Sequence, residues 1–170
     1  MRRISIAVAW LLHQQPFQLS PPKNIRECAT GKKIMLNTLL IVDGCTEYRE
    51  YLVDFFRKRD FEAKGCATYK EAQTLLAAAK FDVVVIDYFI IGSIDDDLAA
   101  TIAAGWQNDT AIIIMSDQQT PAIERRIRQM GPAFYFVKPF AVDNLYAVVL
   151  KIFDFRDKKY LRKKKQGVAA

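Results

Sequence analysis

The sequence predicts an α/β domain: a five-stranded parallel sheet with helices on both faces. Three observations carry that expectation. Strand-like runs, most of them unbroken stretches of apolar and β-branched residues, recur five times between residues 38 and 137. Each is followed by a segment whose apolar residues return at helical spacing. No internal repeat or long linker interrupts the alternation, and parallel neighbours need such crossover segments between them.

The elements follow in order. TLLIVD (38–43) is long enough for a strand buried on both faces. TEYREYLVDFFRKRD comes next, with Tyr48, Tyr51, Leu52, Phe55 and Phe56 marking one helix face. FEAKGCA (61–67) reads as a short strand, and Thr68 with Glu71 forms a capping box that opens a helix through KEAQTLLAAAK. DVVVID (82–87) is a second fully apolar strand, followed by a helix in DDDLAATIAAGW with its acids in the first turn. AIIIMS (111–116) is a strand, and TPAIERRIRQM a helix with Pro121 near its start and Gly131 at its end. AFYFV (133–137) and AVDNLYAVVLKIF supply the last pair.

Charge is unevenly spread. The net charge is +6, yet residues 37–155 carry 12 Lys/Arg against 17 Asp/Glu. Residues 1–36 carry 6 against 1, and residues 156–170 carry 7 against 1. The folded part is therefore mildly acidic, which argues against nucleic-acid binding by the domain itself. Residues 1–36 are expected to be a disordered leader or a mis-assigned start before Met35, and 156–170 a basic tail able to meet an anionic lipid, a nucleic acid or an acidic partner. The leader's ISIAVAWLL run has no small-residue cleavage site after it and is too short to span a bilayer. Cys28, Cys45 and Cys66 have neither zinc-like nor redox-like spacing and read as reduced thiols of a cytoplasmic protein.

Ligands of open parallel sheets sit at the carboxyl ends of the strands. Four of the five predicted strands end there in a polar group: Asp43, Asp87, Ser116 and Lys138. Singly, each could be a helix cap or a solvated loop residue. Asp87 is the most pointed case, because it sits in VVVIDYFII (83–91), where every other residue is apolar or aromatic.

With Asp43 closing IVD, Asp87 closing VVVID, Ser116 in IIIMS and Lys138-Pro139 in FVKPF, residues 38–155 resemble the receiver domains of two-component response regulators. Arg49 and Tyr135 also stand where that family has an arginine and a switch aromatic. The resemblance implies a flavodoxin-like sheet with strand order 2-1-3-4-5. It implies a signalling switch rather than an enzyme, with Asp87 accepting a phosphoryl group from a partner's phosphohistidine and Lys138 and Ser116 contacting that group. It further implies Mg²⁺ held by Asp43, Asp87 and the Phe89 backbone carbonyl, a switch through Ser116 and Tyr135, and a cis Lys138–Pro139 bond. The only histidine, His13, lies in the leader, so the donor would be a separate histidine kinase or phosphotransfer protein. A downstream protein target completes the implied set of partners, and a homodimer through the fourth helix, fifth strand and fifth helix is the implied self-contact. Arg125, Arg126 and Arg128 of that helix, and Val142, Leu145, Val149 and Ile152 of the next, are its candidate residues; the alternative is that the arginines form a solvated face and the apolar residues face the sheet.

The chain departs from the family pattern at three places. Gly44 stands where a second acid usually follows the first, which predicts weak Mg²⁺ binding unless Glu47 or Asp117 compensates. Asp117 replaces a small residue after Ser116, and Ile90-Ile91 replace a Met-Pro pair. A degenerate receiver that binds partners without phosphorylation is thus the alternative. An enzyme binding flavin or nucleotide on a related fold ranks behind both, since no GxGxxG or GxxxxGK[ST] loop is present.

Overall fold

The computed structural model describes residues 37–92 and 110–167. Five strands form one parallel sheet: β1 (Thr38–Val42), β2 (Glu62–Cys66), β3 (Val83–Asp87), β4 (Ala111–Ser116) and β5 (Phe134–Val137), in the order β2-β1-β3-β4-β5. Among the described residues five helices accompany them: α1 (Thr46–Arg57), α2 (Tyr69–Ala78), a single turn α3 (Tyr88–Gly92), α4 (Pro121–Met130) and α5 (Val142–Gly167).

The side-chain period of two divides each strand between two cores. Leu39, Ile41, Val83, Val85, Ile113 and Met115 face the side where α1 and α5 bring Leu52, Phe56, Leu145 and Val149. Leu40, Val42, Val84, Ile86 and Ile114 face the other side, against Ala72, Ile91 and Ile127 of α2, α3 and α4. Burial on both faces explains the unbroken apolar runs 39–42 of β1 and 83–86 of β3.

Local signals read from the sequence hold where they rest on backbone chemistry. The Thr68 hydroxyl accepts the Glu71 N–H at 3.2 Å, and the Glu71 carboxylate accepts the Ala67 N–H at 2.8 Å. Thr120 caps α4 by accepting from the Ile123 N–H, with Pro121 in the first turn. Gly131 ends α4 at φ +65°, a left-handed conformation that favours glycine.

Three differences from expectation stand out, and one expected element is untested. The α1 stripe is rotated: Leu52, Val53 and Phe56 are buried, whereas Tyr51 is 51% exposed. The turn α3, directly after β3, was not anticipated. The helix predicted in DDDLAATIAAGW lies outside the described residues. Finally, α5 does not stop at Phe153 but runs to Gly167. No proline interrupts that stretch, lysine and arginine are good helix formers, and Lys158 pairs with Asp154 one turn back at 2.6 Å. Arg156, expected in the tail, is docked on the sheet: its guanidinium meets Asp82 at 2.7 Å and the Asn37 side-chain oxygen at 3.0 Å. No helix among the described residues is long and apolar enough to cross a membrane.

Candidate functional site

Strand register brings the two acids level. Val42 pairs with Ile86, so Asp43 and Asp87 follow side by side at the carboxyl ends of adjacent strands. Both are buried, at 2% and 7% exposure. Lys138 arrives from the far edge of the sheet, just past β5, and its ammonium donates to Asp43 Oδ2 at 2.7 Å and to Asp87 Oδ2 at 2.5 Å. The Lys138–Pro139 peptide is cis. Burial works against the Lys138 charge, but the hydrogen bonds and charges of the two carboxylates outweigh it and raise its pKa above the usual lysine value.

The remaining carboxylate oxygens are held by backbone. Asp43 Oδ1 accepts the Cys45 N–H at 2.9 Å, and Asp87 Oδ1 accepts the Phe89 N–H at 2.7 Å. The group of Phe89 that meets Asp87 is therefore its N–H, and the expected ligand, its carbonyl, belongs to the helical turn α3. Arg49 secures the Asp43 loop from behind, donating from Nη1 to the Asp43 carbonyl at 2.6 Å. Its aliphatic stem lies against β2 at Gly65, where a Cβ would come within 3.1 Å of Arg49 Cγ.

Above these groups lies an open cleft of about 670 Å³, lined by Asp43, Gly44, Cys45, Asp87, Phe89, Ile90, Asp117, Lys138 and the start of α2 with the two residues before it, 67–70. Glu47 is not in that lining; its carboxylate accepts from the Cys45 thiol at 3.4 Å. Asp117 does line the cleft, so of the two acids considered as substitutes it is the one at the site.

Ser116 is not in the lining either. It shares the strand face of Ile114, and its fully buried hydroxyl donates to the Gln118 carbonyl at 2.8 Å. The Tyr135 hydroxyl donates to the same carbonyl at 3.4 Å. The structure thus gathers Asp43, Asp87 and Lys138 in one contact, and ties Ser116 and Tyr135 together one strand away.

Tyr48 belongs to the site and was missed. Sequence periodicity used it as a marker of the α1 core face, but the Lys138 ammonium sits 4.9 Å from its ring centroid. Its position five residues past Asp43, in the first turn of the following helix, was the available signal. Burial, opposed by Lys138, pushes its phenol up to about 12.

The family model for the response regulator receiver domain matches residues 39–150. The chain belongs to that family. Solved receivers agree in fold. A response regulator from Thermotoga maritima is 25% identical with a TM-score of 0.62, over 71% of this chain and 99% of that one. A response regulator receiver protein from Pseudomonas putida is 24% identical with a TM-score of 0.62, over 68% and 97%. A third, from Burkholderia pseudomallei, was solved with a phosphorylated aspartic acid, a calcium ion and citrate; it is 19% identical with a TM-score of 0.58, over 74% of each chain. No curated protein matches the sequence.

Receiver function implies a divalent cation, and the donors here fit one. Two carboxylates that both reach a single ammonium are close enough to share a small cation, and they are hard oxygen donors. The space beside Gly44 is open, with nothing within 4 Å of where a Cβ would lie, which leaves room for the waters Mg²⁺ retains. Among the described residues no group of three or more His, Cys, Asp or Glu converges as a metal cage. The protein-supplied donor set is correspondingly small.

Proposed function

We propose that this receiver domain is a phosphoacceptor switch in which Asp87 takes a phosphoryl group from a partner's phosphohistidine. The observation that carries the reading is the Lys138 ammonium held between Asp43 and Asp87 at the strand ends. A carboxylate oxygen of Asp87 would attack phosphorus in line, the P–N bond to the donor imidazole would break, and the imidazole nitrogen would leave with the electron pair. Lys138, already in contact with Asp87, would follow the new charge onto the phosphoryl oxygens. Asp43, Asp87 and the Phe89 carbonyl would hold Mg²⁺, which supplies further positive charge to those oxygens when bound. Ser116 would release Gln118 and donate its hydroxyl to the phosphoryl group, and Tyr135, bonded to the same carbonyl, would feel the change. The output is then a change in protein contacts, with α4, β5 and α5 as the surface for a downstream target or a second copy. The protein would act in the cytoplasm, beside its donor.

The experiment is direct. Incubation with a small phosphodonor and Mg²⁺ is expected to add one phosphoryl group to the wild-type chain and none to Asp87→Asn, read by intact-protein mass spectrometry. Absence of label on the wild type at generous Mg²⁺ would sink this reading. Gly44 and Asp117 favour the alternative, a degenerate receiver whose partner binding is the same in Asp87→Asn as in the wild type.

A further inference from the structure

We propose that Tyr48 is the positioning residue of the cleft: its ring holds the Lys138 ammonium against the two carboxylates. Lys138 starts just past the edge strand β5, yet its ammonium reaches Asp43 and Asp87 at the carboxyl ends of β1 and β3, beyond the intervening β4. A side chain with four rotatable bonds loses much rotamer freedom in that posture. Two of its three N–H groups are taken by the carboxylates, and the Tyr48 ring at 4.9 Å adds an attraction that requires no hydrogen-bond direction.

Tyr48 is itself fixed. It packs against the core formed by α1, α5 and the sheet, and its neighbour Arg49 ties the same helical turn to the Asp43 carbonyl. One turn of α1 therefore sets both sides of the cluster: Arg49 orients the loop carrying Asp43, and Tyr48 backs the ammonium. An aliphatic side chain would fill the same space without a ring quadrupole to attract the charge. The consequence for phosphoryl transfer rests on the phosphoacceptor reading above; the positioning of Lys138 does not.

The test compares Tyr48→Phe, which keeps the ring, with Tyr48→Leu and Tyr48→Met, which keep apolar bulk. The primary readout is ¹⁵N relaxation of the Lys138 ammonium in the full chain, on variants whose thermal melts show a folded protein. The second is the rate of labelling by a small phosphodonor. Tyr48→Leu is expected to mobilise the ammonium and slow labelling about three- to tenfold, with Tyr48→Phe close to wild type. In a Lys138→Met background, Tyr48→Leu is expected to slow labelling no further. An ammonium as rigid in Tyr48→Leu as in wild type, or a Tyr48→Phe variant that behaves like Tyr48→Leu, overturns the proposal. If no variant is labelled, the phosphoacceptor reading fails while the relaxation data still decide the role of Tyr48.

Discussion

Gly44 is the residue at which this cleft departs most consequentially from its family, and the structure turns the departure into a measurable quantity. Apart from its chain neighbours, nothing lies within 4 Å of where its Cβ would stand, so the backbone position has room for a side chain. Two unit charges about 4 Å apart interact by about 4 kcal/mol at an effective dielectric near 20, before desolvation and lost water ligands offset much of it. Gly44→Asp is therefore expected to tighten Mg²⁺ binding by about tenfold or more in calorimetric titration; unchanged affinity would mean that the open space is not where the cation sits. Cys66 makes a different prediction. Burial, helped by Glu71, pushes its thiol up to about 11 from an ordinary 9. Between those values the unfolded chain ionises and the folded one does not, so stability is full below about pH 9 and falls as pH rises toward 11. Urea midpoints should decline over that window, and Cys66→Ala should flatten the decline. Asp43, Asp87 and Lys138 were legible because polar groups close strand after strand at the carboxyl ends, where such sheets bind ligands. Tyr48 was not, since an aromatic at helical spacing reads as core whether or not an ammonium lies over it.

Among the elements, α1 and β2 are coupled through a glycine. At Gly65 a Cβ would stand 3.0 Å from Val53 Cγ2 and 3.1 Å from Arg49 Cγ, both on the facing helix. Gly65→Ala should force α1 outward and loosen the bond between Arg49 and the Asp43 carbonyl. A cost of about 1–3 kcal/mol, typical of overpacking, is expected in urea denaturation, together with weaker Mg²⁺ binding. A stability loss with no change in Mg²⁺ affinity would separate helix packing from the acid loop. Existence and type of nine elements were readable from periodicity and caps, but the rotation of α1 was not. Tyr51 and Val53 exchange their expected roles because the sheet, not the helix, chooses which stripe is covered.

Across the whole molecule, chemistry is divided between two ends of the sheet. The carboxyl ends hold the acidic cleft, while the opposite ends hold a separate lock: Asp82 accepts from the backbone and hydroxyl of Thr38, each at 2.9 Å, and pairs with Arg156 of α5. From there α5 continues as helix into the most basic stretch of the chain. Arg156→Ala removes the contact that ties the middle of α5 to β1 and β3. It should lower stability by about 1–2 kcal/mol and speed amide exchange in α5 beyond Phe153, with Asp87 phosphodonor labelling unaffected. Slowed labelling would show instead that the two ends communicate. By itself the sequence determined the parallel α/β class, the family and the polar residues at four strand ends, because periodicity, caps and strand-end chemistry are local. Only the tertiary structure decided which of those residues share a contact, that Ser116 faces away with Gln118, that Tyr48 backs Lys138, and that Arg156 belongs to the domain. Those outcomes depend on register, helix rotation and the reach of long side chains across strands, which are set by packing among segments far apart in the chain.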